Sequence, residues 1–112
     1  LRDASLPADA LAARVETVGQ TVVSDGLWMD AEGRLYLTAP EDHSIRVREA
    51  DGTLGTLVQD ARLNWPDTLS QGPDGALYVT ASRIPDNAWF RPEQGPQLRG
   101  TALFRVDRTP DR

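Results

Sequence analysis

An internal repeat constrains the fold of this chain more than any other feature of its sequence. The segment 25–39 recurs as the segment 67–81 at an offset of 42 residues, and Asp, Leu, Gly, Leu, Tyr, Thr and Ala coincide without a gap. A period in the low forties is typical of the four-stranded blades of β-propellers. The repeat therefore predicts an all-β chain of about two antiparallel blades.

Short alternating segments, separated by turn residues, give the strands of these blades. The predicted strands are 27–30, 34–39, 45–48, 54–58, 69–71, 76–81 and 101–107. Gly33 and Gly75 close matching hairpin turns. We assign a complete blade to residues 24–60 and a following blade to residues 61–112, with a long loop at 82–100.

Residues 1–23 form a lead-in to the first blade. They predict a short helix at 6–14, with Ser5 as N-cap and Pro7 in the first turn, and then the outer strand of a preceding blade at 14–19. A blade buries its faces against its neighbours, so two blades leave apolar faces and strand edges open. We therefore expect a fragment of a ring, completed by the remaining blades of a parent chain or by other copies of this segment.

Charge and composition exclude several classes of partner and chemistry. The net charge of −5 argues against a phosphate-binding nucleic-acid surface, which needs clustered cations. The chain has no Cys and no Lys, which excludes disulfides, thiolate metal sites and a lysine Schiff base within this segment. No apolar run approaches the ~18 residues that span a membrane. We expect neither a nucleic-acid partner nor a membrane span.

Successive loops of a four-stranded blade alternate between the two ends of the ring, which places the longer loops together. One end, here called the short-turn end, carries the tight turns 31–33, 51–52 and 73–75. The other, here called the elaborated end, carries the longer loops 22–26, 40–44, 60–67 and 82–100. Binding and catalytic residues usually lie in elaborated loops on a rigid scaffold, so we expect the site at the elaborated end.

Two acidic residues open the innermost strands at this end. Asp25 and Asp67 occupy equivalent repeat positions, and their side chains can point towards the ring axis. Two carboxylates from adjacent blades suit a hard cation, Ca²⁺ or Mg²⁺, given further oxygen ligands. The alternative is that each Asp caps a turn through nearby backbone N–H groups, as Asp commonly does.

The remaining candidate ligand-binding residues are one histidine and three aromatics. His43, the only His, can serve as a base or ligand, or can be a solvated loop residue. Trp65, Trp89 and Phe90 lie in loops of the elaborated end. They either wall an apolar or amine-binding cavity or pack the loops against the blades. A single His without Cys cannot assemble a conventional zinc site from this segment.

Several motifs, taken in order, resemble the major royal jelly protein/yellow family. They are LRDASL at 1–6, SDGL at 24–27, GRLYLT at 33–38, EDHSI at 41–45 and LVQDARLNWPDTL at 57–69. The resemblance covers nearly the whole chain and matches the C-terminal third of such proteins. It implies a six-bladed propeller with a central cavity, secreted or periplasmic. Members of this family include structural or nutritive proteins, amine and lipid binders, and proteins linked to pigment formation.

A more distant resemblance is to the gluconolactonase-like propellers. In that family an Asp of an Asp-Gly motif helps hold a divalent cation over the central tunnel, and Asp25 before Gly26 is similar to that position. Asp67 is followed by Thr68 instead. Three functions remain open: binding of a small organic ligand near the ring axis, a divalent-metal-dependent lactonase-like hydrolysis, and a structural or assembly role without catalysis.

Overall fold

Two antiparallel sheets make up almost all of the regular structure. The computed structural model describes residues 5–95 and 100–108. Its elements are α1 (Ala8–Ala12), β1 (Leu27–Met29), β2 (Leu35–Ala39), β3 (Ser44–Arg48), β4 (Leu54–Gln59), β5 (Pro66–Gln71), β6 (Leu77–Ala81) and β7 (Ala102–Val106), with 3-10 turns at Ile84–Asp86 and Pro92–Gln94. Sheet one has the order β1-β2-β3-β4, and sheet two has the order β5-β6-β7. The all-β prediction is confirmed, with the up-and-down strand order of propeller blades.

The repeat in the sequence is a repeat of strand pairing. Leu27 lies opposite Leu37 in sheet one, and the equivalent Leu69 lies opposite Val79 in sheet two. The segments 35–37 and 77–79 therefore occupy equivalent second strands, as the 42-residue offset predicts. The two sheets differ in β5, which begins earlier than predicted because Pro66 pairs with Ala81 across an irregularity in the ladder.

The hydrophobic core lies between the two sheets. Ile45, Leu63 and Val79 are buried at its centre. Around them pack the partly buried side chains of Leu57, Val58, Leu69, Phe104 and Val106. Burial of one such aliphatic side chain stabilises the fold by about 1.5–3 kcal/mol. Both sheets supply this core, so neither buries its apolar residues alone.

A buried carboxylate joins the sheets at the short-turn end. Asp30 Oδ2 accepts hydrogen bonds from Arg34 Nε at 2.7 Å, Tyr36 Oη at 3.2 Å and Arg108 Nη1 at 3.2 Å. Burial raises the pKa of Asp30 and is the largest single influence, but hydrogen bonds from Arg34 and Tyr36 together hold that pKa below its usual value. Arg108 follows β7, so this cluster ties sheet two to sheet one.

The lead-in differs from its prediction. Helix α1 is shorter than the predicted 6–14, and Pro7 rather than Ser5 is its N-cap, because the Pro7 carbonyl accepts the first helical bond from Leu11 N. Residues 14–19 form no strand, since no described strand lies beside them to pair with.

Trp28 is half-buried, with its ring centroid 5.6 Å from that of Tyr36 on the same face of sheet one. The two paired aromatic side chains lie on adjacent strands, where such cross-strand pairs add to sheet stability.

Candidate functional site

Three loops of the elaborated end contain a non-glycine residue in the left-handed region. These residues are His43, Trp65 and Arg83, with φ of 56°, 57° and 57°. Left-handed backbone costs a non-glycine residue of order 1–3 kcal/mol, and such strain concentrates at binding and catalytic sites. Here the surrounding hydrogen bonds hold it in place: Asp60 N donates to His43 O, and Ser82 N donates to Trp65 O, each at 3.0 Å.

Trp65 joins the loop between the sheets to the start of β1. Its indole Nε1–H donates a hydrogen bond of 2.8 Å to Oδ2 of Asp25, forty positions earlier in the chain. One edge of the indole is therefore fixed by an exposed carboxylate. The sequence placed both residues at the elaborated end, and the structure brings them into direct contact.

An apolar groove lies beside the Trp65 ring. It is lined by Trp65, Ile84, Pro85 and Phe90 and has a volume of about 160 Å³. The Ile84–Asp86 turn presents two of these side chains to the indole. Trp65 and Phe90 thus both line this groove, and their role in binding a ligand stays a prediction.

Trp89 takes a different position from its neighbour Phe90. Its side chain is 91% exposed, and it is not among the residues that line the groove. Its backbone N–H donates to Oδ1 of Asn87 at 3.1 Å, which belongs to a local turn. Within the part of the chain that the structure describes, Trp89 neither walls the groove nor packs its loop against a sheet.

The two inner-strand openings approach each other closely. A Cβ added to Gly26 would lie 2.1 Å from the carbonyl oxygen of Asp67, so only glycine fits there. Thr38 Oγ1 accepts from the N–H groups of both Asp25 and Gly26, at 3.2 Å and 2.9 Å. Thr80 Oγ1, its repeat equivalent, accepts from Thr68 N at 3.2 Å. A repeated threonine thus fixes the backbone at both inner-strand openings.

Asp25 is exposed and Asp67 is half-buried. Among residues 5–95 and 100–108, no three His, Cys, Asp or Glu side chains cluster closely enough to hold a metal ion. One oxygen of Asp25 is already bonded to Trp65. A Ca²⁺ or Mg²⁺ site at Asp25 and Asp67 stays a prediction that needs ligands from outside these ranges.

His43 positions the loop that precedes β5. It is half-buried, and its Nδ1 lies 3.3 Å from the carbonyl oxygen of the buried Leu63. This contact requires the tautomer with a proton on Nδ1, which donates to the carbonyl. Ring and backbone of His43 thus both hold the chain from Asp60 to Leu63, while its role as a base or ligand stays a prediction.

A polar cluster that the sequence analysis did not predict holds together the two loops that line the groove. Asp86 Oδ2 accepts from Asn64 Nδ2 at 3.1 Å and from Arg83 Nε at 3.1 Å. Arg83 N also donates to Asn64 O at 3.0 Å. Residue 64 precedes Trp65, and residues 84 and 85 lie between Arg83 and Asp86, so these bonds fix both sides of the groove. The three-residue spacing of Arg83 and Asp86 was the available signal.

The comparisons with known proteins give a partial match to a solved structure. No protein-family profile matches the chain, and no curated protein matches it. Among solved structures, the chain is similar to selenomethionine-substituted virginiamycin B lyase from Staphylococcus aureus, with 16% sequence identity and a TM-score of 0.48. The match covers 54% of this chain and 20% of that chain, so this chain spans about a fifth of that protein's length. No described helix has the length and apolar character to cross a membrane.

Proposed function

We propose that this chain contributes to a binding site for a small organic amine at the elaborated end, near the ring axis. The observation that carries the proposal is the pair formed by Trp65 and Asp25. The Trp65 ring walls an apolar groove, while its N–H fixes an exposed carboxylate. An apolar body and a cationic head are the chemistry that such a combination recognises.

The electrostatics of the pair favour a cation over a neutral ligand. The hydrogen bond from Trp65 occupies Oδ2 of Asp25, and the carboxylate as a whole stays exposed. An ammonium group beside this carboxylate and over an aromatic face gains roughly 1–1.5 kcal/mol in total at a partly exposed site. That energy corresponds to roughly a tenfold preference for the charged ligand.

The size of the groove limits what this chain binds alone. Ligand pockets usually occupy about 300–1,000 Å³, whereas the groove has a volume of about 160 Å³. It suits one ring or a short chain of a ligand. The rest of the ligand would contact further blades around the axis, as the resemblance to the royal jelly protein/yellow family implies.

Calorimetric titration with 2-phenylethylamine and with 2-phenylethanol tests the proposal. The two probes have nearly the same size and differ in charge at neutral pH. We expect the wild-type chain to bind the amine about tenfold more tightly, and Asp25→Asn to abolish that preference while it keeps the side-chain shape. Asp67→Asn is the matched control and should retain the preference. Equal affinity of the wild type for both probes would refute the proposal.

The groove itself is tested by a separate variant. Phe90→Ser removes one wall without touching Asp25. We expect it to weaken binding of the amine and of the alcohol by a similar factor, because both lose the same apolar contact. Trp89→Ser, at the neighbouring position outside the groove, should bind both probes as the wild type does.

A further inference from the structure

Among the described residues, sheet two has no counterpart of β4, the strand that completes sheet one. In sheet one, Ile45 of β3 lies opposite Thr38, and in sheet two Leu103 of β7 lies opposite Thr80. Because Thr38 and Thr80 are repeat equivalents, β7 takes the place of β3. β4 pairs along the outer edge of β3, whereas no described strand pairs with the outer edge of β7. The unpaired backbone groups of such an edge are a template for another strand.

The lead-in contains a segment at the sequence position of an outer strand equivalent to β4. At the 42-residue offset, residues 14–17 align with residues 56–59 of β4. Residues 15–24 belong to no helix, turn or strand, and Val15 and Val18 are largely exposed. The offset therefore gives this segment, which forms no strand in the single chain, the sequence position of an outer strand.

Two exposed leucines show which faces are uncovered. Leu103 is 67% exposed, whereas its equivalent Ile45 is 0% exposed in the core between the sheets. Leu27 is 65% exposed, whereas its equivalent Leu69 packs against that same core. The uncovered face of sheet two, which carries Leu103, is thus equivalent to the face of sheet one that packs on sheet two. The uncovered face of sheet one, which carries Leu27, is equivalent to the face of sheet two that packs on sheet one; we call it the receiving face.

The lead-in is attached to the receiving face. Val18 O accepts a hydrogen bond of 3.3 Å from Nη2 of Arg48. The strand register pairs Arg48 with Leu35 and Leu35 with Met29, which places Arg48 on the same face of sheet one as Leu27 and Met29. An incoming three-stranded sheet that covered Leu27 would therefore meet residues 14–19 at its open edge.

From this arrangement we propose that copies of this chain assemble head to tail. Sheet two of one copy packs on sheet one of the next copy. Residues 14–19 of that next copy add a fourth strand to sheet two of the first copy, beside its β7. The two contacting surfaces differ, so the interface is heterologous and closes into a ring when the rotation between copies permits. Each copy contributes two blades to such a ring. This proposal does not depend on the proposed amine site.

Multi-angle light scattering at micromolar concentration measures the assembly directly. We expect the wild-type chain to have a mass of at least twice the 12.3 kDa of a single chain. Leu103→Asp and Leu27→Asp should each give monomers with an unchanged circular dichroism spectrum, because both side chains are exposed in the single chain. Trp89→Asp, a change of equal character in the loop at 82–100, should keep the wild-type mass. A monomeric wild type would overturn the proposal.

A mixing experiment separates this interface from a symmetric dimer. Leu103→Asp damages the donating face and leaves the receiving face intact, and Leu27→Asp does the reverse. An equimolar mixture of the two variants should therefore form a one-to-one heterodimer that grows no further. If the mixture stays monomeric although each variant is folded, the two faces do not meet and the proposal is wrong.

Cross-linking tests the strand addition independently of those substitutions. Ser44 lies opposite Gln59 in sheet one, so the repeat places Ala102 of one copy opposite Thr17 of the next. Cross-strand Cα atoms lie about 4.5–5.5 Å apart, which a disulfide can bridge. The chain has no Cys. Oxidised Thr17→Cys/Ala102→Cys should form covalent multimers, and Thr17→Cys/Trp89→Cys should not. Equal cross-linking of both would contradict the pairing.

Discussion

Removal of the Arg108 guanidinium should destabilise the contact between the two sheets. Arg108 donates from Nη1 to Asp30 Oδ2 at 3.2 Å and from Nε to Gly75 O at 2.9 Å, and its Cζ lies 5.8 Å from the centroid of the Tyr36 ring. The side chain of Asp30 is only 1% exposed, and that of Arg108 is 21% exposed. Arg108→Gln keeps most of the aliphatic stem and removes the charge.

The expected loss of unfolding free energy depends on the hydrogen bonds that Asp30 retains in the variant. A hydrogen bond to a charged group contributes roughly 1.5–3 kcal/mol, and the contact with an aromatic ring adds roughly 0.5–1 kcal/mol. Asp30 retains its bond from Arg34, and Arg108 is partly solvated, so the contributions do not add fully. We expect Arg108→Gln to lower the free energy of unfolding by about 2 kcal/mol, a change of roughly thirtyfold in the equilibrium constant.

Urea unfolding followed by tryptophan fluorescence measures this loss, at one fixed protein concentration so that association contributes equally. The matched control is Arg105→Gln, because Arg105 bonds to Asp74 at 2.9 Å with both side chains well exposed. That variant should lose less than about 1 kcal/mol, as exposed ion pairs do. Equal losses for Arg105→Gln and Arg108→Gln would refute the assignment of Arg108 as an inter-sheet contact.

Three further predictions concern other features of the structure. Gly26→Ala should lower the free energy of unfolding by about 2 kcal/mol or more in urea denaturation, because its Cβ would lie 2.1 Å from the Asp67 carbonyl oxygen; Gly100→Ala, with open space around its Cβ, should change it little. Asp30 has a lowered pKa, so its contribution to stability is complete above its ordinary pKa near 3.8 and is lost as the pH falls through the lowered value. Asp30→Asn should therefore flatten the decline in the free energy of unfolding between pH 5 and pH 2, measured by urea unfolding. An unchanged decline would contradict this cause. Calorimetric titration with Ca²⁺ should show the wild type and Asp25→Asn binding equally weakly at millimolar concentration, because no three His, Cys, Asp or Glu side chains cluster there among the described residues; tighter binding by the wild type alone would favour the metal-dependent alternative.

The repeated part of the fold could be predicted from the sequence because the same strand pattern occurs twice in the chain. The recurrence of Leu, Tyr, Thr and Ala at the 42-residue offset predicted the second strands and their equivalence, as in Tyr36 and Tyr78. The limits of β5 and α1 were less accurate. A bulged ladder at Pro66 and a five-residue helix after Pro7 depend on contacts that no local pattern records.

The candidate site was predicted in part, for the same reason. Loop topology brought Asp25, Trp65 and Phe90 to one end, but their roles depend on side-chain directions. Trp65 combines a left-handed backbone with an indole bonded to Asp25, and no sequence rule assigns that conformation to a tryptophan. The contact of His43 could not be predicted, because its partner is the carbonyl of Leu63, a group that every residue possesses.

The backbone hydrogen bonds at the start of the long loop 82–100 have a consequence for how this protein can evolve. Ser82 N bonds to Trp65 O and Arg83 N bonds to Asn64 O, so the chain is anchored at the point where it leaves β6. The sheet beneath thus holds its geometry independently of the loop's length or composition. Insertions and substitutions after residue 86 can therefore alter one wall of the groove while the Trp65–Asp25 pair stays in place. Descendants of such a scaffold would diversify their ligands by changing a single loop.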